Sequence, residues 1–286
     1  MSSGPAGRVT RSSRIPPGET GTRTPVRTFL RTADGVTVDA AYTPGRGTSD
    51  GPVIVVAHGF TGDLERPQLR RAADAFARHA AVVTFSFRGH GASGGWSTVG
   101  DREVLDLAAA VAWARELGHT RVATVGFSMG GSVVLRHAAL AGGPKAPEHE
   151  GRTEARVDAV VAVSAPARWY YRGTAPMRRL HWLVTRPVGR AVGRYGLRTR
   201  IHHRDWDPVP PSPVESVPLI APTPLLIVHG DRDGYFPVDH PKMLAEAARG
   251  HAELWLEHGM GHAENAAGDE LLARIGRWAA AHAGQV

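Results

Sequence analysis

The chain has 286 residues, of which 42% are hydrophobic, and this is enough apolar material for one large domain that carries an insertion. It contains no cysteine, which excludes disulfides, thiolate metal sites and cysteine nucleophiles. The net charge of +7 is concentrated in two segments, because residues 1–31 hold six arginines and one acidic residue and residues 166–218 hold ten arginines and three acidic residues.

The first 25 residues are rich in Ser, Gly, Thr, Pro and Arg and contain no apolar segment. We expect residues 1–25 to form a disordered tail, because this composition cannot bury enough surface to offset the entropy of ordering. The tail does not match a secretory signal, and no stretch elsewhere is long and apolar enough to span a bilayer, so we expect a cytoplasmic protein. An organellar transit peptide is the alternative interpretation of this leader.

From residue 26 onward, short apolar runs alternate with helical patterns, which predicts an α/β fold: a mostly parallel eight-stranded sheet with helices on both faces. Strands are predicted at residues 26–32, 36–42, 52–58, 81–87, 121–125, 157–164, 223–229 and 252–256. Helices are predicted at residues 68–79, 101–117, 130–140, 241–248 and 271–282. An Ala-Asp-Gly turn separates the first two strands, so we expect these two to form an antiparallel hairpin.

The alternation of strands and helices stops between residues 164 and 223, an interval too long for an ordinary connection in a compact domain. We therefore expect a small, partly helical cap, inserted at about residues 166–218 into a domain that spans residues 26–286. A cap above the carboxyl edge of a parallel sheet helps to line a substrate pocket. The aromatic residues that we expect to contribute are Trp169, Tyr170, Tyr171 and Trp182.

Residues 126–130 read Gly-Phe-Ser-Met-Gly and lie between a predicted strand and a predicted helix. In a G-x-S-x-G nucleophile elbow, the strand carries the serine to the edge of the sheet and small neighbours allow a strained turn. The first amides of the following helix point at the serine and favour an oxyanion there. This context predicts that Ser128 is a nucleophile, and a structural turn without chemistry is the alternative.

A serine hydroxyl needs a base to remove its proton, and an acidic group to orient that base. The strand predicted at residues 223–229 ends in a loop that carries Asp231 and Asp233. The strand at residues 252–256 is followed by a glycine-flanked loop with His258 and His262, of which His262 is the expected base. The residues alone leave both aspartates open as the acid.

With these motifs in this order, residues 26–282 resemble the α/β-hydrolase superfamily, in particular its serine esterases, lysophospholipase-like and cinnamoyl-esterase-like members. The resemblance implies the α/β-hydrolase fold. It favours Asp233 as the acid, because residues 233–237, Asp-Gly-Tyr-Phe-Pro, match the family pattern D-x-x-[VF]-P. It also identifies His262, within Gly-His-Ala-Glu, with the catalytic histidine of the family.

The same resemblance assigns residues 58–62, His-Gly-Phe-Thr-Gly, to the oxyanion-hole loop. A tetrahedral oxyanion needs two converging donors, which we expect to be the backbone amides of Phe60 and Met129. We expect a structural role for His58. Residues 87–93 resemble the R-G-x-G-x-S loop of the family, although Ser86 stands where an acidic residue is common.

We therefore predict a serine hydrolase that cleaves a carboxylic ester through an acyl-enzyme intermediate, without a metal or cofactor. A serine nucleophile argues against haloalkane dehalogenases and epoxide hydrolases, which resemble this fold but use an aspartate. Peptidase, thioesterase or acyltransferase activity with the same triad, or ligand binding without catalysis, are the alternatives.

The expected partner is a small-molecule ester, and the ten arginines of the cap suggest that it is anionic or lipid-like. No nucleic-acid-binding module is recognisable, so no nucleic-acid partner is expected. Residues 202–207, His-His-Arg-Asp-Trp-Asp, have a composition suited to a metal site. Their spacing fits no standard ligand pattern and the neighbouring arginines oppose a cation, so we expect no metal there.

Overall fold

The computed structural model describes residues 25–45, 51–142 and 155–284. The strands are β1 (Val26–Arg31), β2 (Thr37–Thr43), β3 (Val53–Ala57), β4 (Ala81–Phe85), β5 (Val122–Phe127), β6 (Ala159–Val163), β7 (Leu225–Gly230) and β8 (Ala252–Glu257). The helices are α1 (Pro67–Phe76), α2 (Glu103–Glu116), α3 (Met129–Gly142), α4 (Ala175–Thr185), α5 (Pro187–Gly196), α6 (Pro213–Ser216), α7 (Asp239–Ala247), α8 (Ala263–Ala266) and α9 (Asp269–His282). The tail predicted at residues 1–25 lies outside the described residues except for Pro25.

The eight strands form one sheet in the order β1-β2-β4-β3-β5-β6-β7-β8. β1 and β2 pair antiparallel, as the turn between them predicts, and β2 is also antiparallel to β4. All the other neighbouring strands are parallel. The predicted mostly parallel, eight-stranded sheet is confirmed, and the carboxyl ends of β3 to β8 meet at one edge.

The central strands consist almost wholly of apolar residues, and every residue of β3, β5, β6 and β7 is buried. Continuous apolar runs of this kind are typical of strands that are covered on both faces. Alternate residues of β3 supply the two cores. Val53 and Val55 pack in the cluster that contains α2 and α3, whereas Ile54 and Val56 pack with α1 and α9. Helices therefore cover both faces of the sheet, as predicted.

Two local differences from the sequence prediction lie next to the candidate site. β5 runs to Phe127, two residues beyond its predicted end, so Ser128 alone separates this strand from α3. This position of the strand requires a glycine, because a Cβ on Gly126 would lie 2.2 Å from the carbonyl oxygen of Gly130. The one-turn helix α8 directly after His262 was not predicted, because four residues are too few to show a helical period.

The segment predicted as a cap, residues 166–218, contains α4, α5, α6 and a 3-10 turn at Val217–Leu219, and lies between β6 and β7. We call it the cap segment. α4 and α5 pack closely, since a Cβ on Gly189 would lie 2.5 Å from the carbonyl oxygen of Trp182. The chain after α5 bonds to the loop after β4 through bridges between His90 and Thr199 and between Ser97 and Ile201. These bridges tie the cap segment to the carboxyl edge of the sheet.

None of the helices in the described residues is long and apolar enough to cross a membrane.

Candidate active site

Ser128 occupies the turn between β5 and α3 with a φ of 53°, in the left-handed region that residues with a side chain rarely adopt. Its backbone amide donates a hydrogen bond to the carbonyl of Val163 at the end of β6, at 2.9 Å. The turn is tight because α3 begins against β3: a Cβ on Gly130 would lie 2.3 Å from the carbonyl oxygen of Ala57. The local structure is therefore that of a nucleophile elbow, which presents Ser128 at the carboxyl edge of the sheet.

Ser128, His262 and Asp233 form one continuous hydrogen-bonded chain. The Nε2 atom of His262 lies 2.9 Å from the Oγ atom of Ser128. Its Nδ1 atom lies 2.8 Å from the Oδ2 atom of Asp233. The three residues follow β5, β8 and β7, and these strands end at the same edge of the sheet. This geometry suits a serine nucleophile, a histidine base and an acid that orients the base.

Asp233 is held as a buried carboxylate, with a side chain that is 0% exposed. Its Oδ1 atom accepts hydrogen bonds from the backbone amides of Tyr235 and Phe236, at 2.8 and 3.1 Å. Burial acts to raise the pKa of Asp233, but the hydrogen bond and charge of His262, helped by the two amides, bring that pKa below its usual value. The group therefore carries the negative charge that stabilises a protonated His262.

The second pair of candidates, Asp231 and His258, lies apart from this chain. Asp231 accepts hydrogen bonds from the Nδ1 atom of His258 at 2.7 Å and from the amide of Gly259 at 2.6 Å. The His258 side chain is 90% exposed. Asp231 thus caps the surface loop that follows β8, and it makes no hydrogen bond to His262.

The loop after β3 approaches Ser128 closely. A Cβ on Gly59 would lie 3.4 Å from the Cβ of Ser128. His58 is buried, its Nδ1 atom lies 2.7 Å from the carbonyl oxygen of Gly59, and its Nε2 atom accepts the amide proton of Phe87. Burial lowers the pKa of His58 to about 3, so the ring stays neutral and braces this loop against the end of β4. Phe60 and Met129, the two expected oxyanion donors, both border the cavity at Ser128.

A cavity of about 730 Å³ opens above Ser128, between the sheet edge and the cap segment. Ser128 and His262 lie in its wall, and the residues that the cap segment contributes include Trp169, Tyr170, Tyr171, Met177, Leu180 and Val184. Three of the four expected aromatic residues are therefore at the cavity. Trp182 is the exception: it does not line the cavity and is 48% exposed, because α4 turns its Leu180 and Val184 face inward and leaves Trp182 outside.

A sequence model of the family described as alpha/beta hydrolase fold matches residues 52–186 of this chain. The Pyrococcus furiosus esterase Pf2001 has a similar structure, with a TM-score of 0.68 and 22% identity over 94% of this chain and 100% of that one. The chain therefore has the α/β-hydrolase fold. Est1E from Butyrivibrio proteoclasticus also shares the fold, with a TM-score of 0.60 and 17% identity over 88% of this chain and 96% of that one.

The Mycobacterium tuberculosis protein Esterase LipC is 31% identical to this chain over 157 residues. The match covers 52% of the present chain and 36% of Esterase LipC, so the chain spans little more than a third of that relative.

Two further residues, which no motif in the sequence indicated, lie at the site. The ring of Tyr235 stacks on the ring of His262, with 4.2 Å between the ring centroids and 26° between the planes. Glu264 is buried beside Gly59, and its Oε2 atom has no hydrogen-bond partner among the described residues. Burial raises the pKa of Glu264. Both residues are sequence neighbours of the motifs around Asp233 and His262, and that proximity was the available signal.

Four of residues 202–207, where we expect no metal, lie in the wall of the cavity. His202, Arg204, Asp205 and Trp206 line it, and the rings of His202 and His203 stack with their centroids 5.1 Å apart. Over residues 25–45, 51–142 and 155–284, the side chains do not bring together three His, Cys, Asp or Glu residues suited to a metal ion.

Proposed function

We propose that the protein is a serine hydrolase that cleaves carboxylic esters with Ser128, His262 and Asp233 as its catalytic triad. The observation that carries the proposal is the unbroken hydrogen-bonded chain from Ser128 Oγ through His262 to Asp233, with 2.9 and 2.8 Å between the bonded atoms. Ser128 and His262 line a cavity of about 730 Å³, which supports access for a small-molecule ester.

In the first half of the reaction, His262 Nε2 takes the proton of Ser128 Oγ as this oxygen attacks the ester carbonyl carbon. The carbonyl oxygen becomes an oxyanion, and we assign its two donors to the backbone amides of Phe60 and Met129. As the tetrahedral intermediate collapses, the bond to the leaving alkoxide breaks and the protonated His262 gives its proton to that oxygen. The alcohol leaves, and the acyl group stays on Ser128.

In the second half, His262 takes a proton from a water molecule while the water oxygen attacks the acyl carbonyl carbon. The bond between that carbon and Ser128 Oγ then breaks, His262 returns the proton to Ser128, and the carboxylic acid leaves. Asp233 acts twice in the same way: it fixes the ring of His262 so that Nδ1 carries a proton, and it stabilises the cation that forms in each half-reaction.

An ester is the favoured substrate because the similar solved structure Pf2001 and the sequence relative LipC are both named as esterases. The triad by itself also serves amides, thioesters and acyl transfer, which differ in the pocket and in the access of water.

The test combines labelling by a fluorophosphonate with hydrolysis of a series of p-nitrophenyl esters from acetate to palmitate. The parent is compared with Ser128→Ala and with Ser132→Ala, a matched control because Ser132 is a second serine at the cavity whose hydroxyl has no hydrogen-bond partner among the described residues. We expect labelling and turnover in the parent and in Ser132→Ala, and neither in Ser128→Ala. A folded parent that neither labels nor hydrolyses any ester would refute the proposal.

A further inference from the structure

We propose that the outer surface of the cap segment docks onto an anionic lipid bilayer. The docking surface consists of the exposed apolar residues Val188, Val192, Tyr195 and Trp96 and of the arginines Arg186, Arg190 and Arg194. The binding step is independent of the catalytic proposal. Only its consequence, delivery of a lipid ester to Ser128, rests on the proposed function.

Helix α5 has a buried face of glycines and an exposed apolar face. Gly189 and Gly193, four residues apart, form the buried face, where α5 packs on α4 and on Ile201. Val188, Val192 and Tyr195 follow one another at intervals of four and three residues, so they form a single stripe on the helix. Their side chains point to solvent, with 66%, 46% and 80% of their surface exposed.

This apolar stripe continues onto the neighbouring loop. Trp96 is 46% exposed, and the guanidinium of Arg194 lies 5.7 Å from the centre of its ring. The same guanidinium lies 5.6 Å from the ring of Tyr195. Two valines and two aromatic rings are therefore grouped on one exposed surface, whereas exposed apolar residues on soluble surfaces are usually scattered singly.

The part of the cap segment that carries the stripe has side chains of one charge sign. Residues 166–204 contain ten arginines and no aspartate or glutamate. Among the described residues, only Arg168 of these ten forms an ion pair with a carboxylate, that of Asp239. Arg190 donates to the carbonyl oxygens of Val184 and Thr185, and Arg178 donates to those of Arg172 and Gly173. Because a carbonyl oxygen carries no net charge, these contacts do not neutralise Arg178 and Arg190.

An anionic bilayer can bind both the arginines and the apolar stripe of this surface. Its headgroups neutralise the arginines, and its interfacial region accepts valine and aromatic side chains to a shallow depth. A second copy of the chain would bring two strongly positive surfaces together, which is unfavourable. A nucleic acid would neutralise the arginines but would leave the apolar stripe in water.

The position of the docking surface gives it a functional consequence. The inner face of α4, with Met177, Leu180 and Val184, lines the cavity above Ser128, and α5 packs against α4 on the outside. A bilayer on α5 would lie within one helix layer of the cavity. An ester drawn from that bilayer has a short path to the nucleophile, so docking would raise the rate on lipid esters more than the rate on water-soluble esters.

The test measures vesicle binding of the full chain with the Ser128→Ala substitution, so that no lipid is consumed and the result does not depend on catalysis. Co-sedimentation is measured with phosphatidylcholine vesicles, with and without about one third phosphatidylglycerol. Val192→Ser/Tyr195→Ser tests the apolar stripe, and Arg186→Gln/Arg194→Gln tests the charge. Phe29→Ser is the matched control, because Phe29 is an aromatic residue on β1 that is 61% exposed and does not belong to the docking surface.

We expect binding to the acidic vesicles only, with an affinity that falls as salt is added. The stripe variant should lose at least about tenfold in affinity. Each arginine removed should cost roughly fivefold. The control should bind like the parent.

Three outcomes would overturn the inference: no binding of the parent to acidic vesicles, equal binding of the stripe variant and the parent, or formation of a dimer that the stripe variant abolishes. Tight binding to duplex DNA that needs the arginines but not the stripe, without vesicle binding, would identify a nucleic acid as the partner instead. Hydrolysis of soluble esters by the parent is measured separately. Failure of the catalytic proposal and failure of the docking proposal are therefore distinguishable.

Discussion

Replacing Asp233 by asparagine should remove nearly all of the activity while leaving the shape of the site intact. The Oδ1 atom of Asp233 accepts two backbone amides, those of Tyr235 and Phe236, and this fixes which end of an asparagine amide can replace it. The amide oxygen must take the Oδ1 position, so the NH₂ group takes the Oδ2 position and points at Nδ1 of His262. A donor at that position forces Nδ1 to be the acceptor and moves the ring proton to Nε2.

A proton on Nε2 faces the hydroxyl of Ser128, 2.9 Å away, and His262 can then no longer act as a base. The negative charge that stabilises the protonated ring is lost at the same time. For a triad of this kind the expected loss in kcat is about 10⁴-fold. That factor corresponds to roughly 5 kcal/mol of transition-state stabilisation.

The assay is the hydrolysis of a p-nitrophenyl ester by the parent, by Asp233→Asn and by Asp231→Asn, with thermal unfolding to show that each variant is folded. Asp231→Asn is the matched control, because it is the same substitution two residues away, at a carboxylate that bonds to the exposed His258. We expect the control to stay within about tenfold of the parent. A folded Asp233→Asn that also stays within about tenfold, or a control that falls as far, would refute the assignment of Asp233 as the acid.

Three further predictions concern stability. Asp106→Asn leaves the buried guanidinium of Arg88 without one of its two carboxylate partners. Urea unfolding should show that the free energy of unfolding falls by about 3 kcal/mol, and a fall of less than about 1 kcal/mol would contradict the prediction. Gly126→Ala puts a Cβ 2.2 Å from the carbonyl oxygen of Gly130 and should cost about 3 kcal/mol or more, so an unchanged melting temperature would contradict the strand geometry. Burial raises the pKa of Glu264, so the folded state holds this proton at pH values where the unfolded chain has lost it, and stability falls as pH rises from 4.5 through the folded pKa. Urea titrations across that window should show Glu264→Gln gaining stability relative to the parent, and parallel pH curves would be the contrary result.

The strands of the sheet could be predicted because burial on both faces requires a continuous apolar run, as in Val-Ile-Val-Val-Ala of β3 and Ala-Val-Val-Ala-Val of β6. The elbow around Ser128 was visible for a similar local reason, since only glycine permits the approach of α3 to β3 at Gly130. The single turn of α8 has no such local signature. It forms where the chain after His262 meets β6, and the amide of Ala263 donates to the hydroxyl of Ser164.

The amino-acid sequence by itself determined the alternation of strands and helices, the position of the elbow and the short set of candidate residues for the proposed chemistry. It left Asp231 and Asp233 as equals until a family resemblance favoured one, and it offered Trp182 as readily as Trp169 for the cavity. Only the tertiary structure decided these points. Which aspartate reaches His262 depends on how the loop after β7 folds against the loop after β8, and which tryptophan faces the cavity depends on the rotation of α4. Both are set by packing between segments far apart in the chain, and no local pattern carries that information.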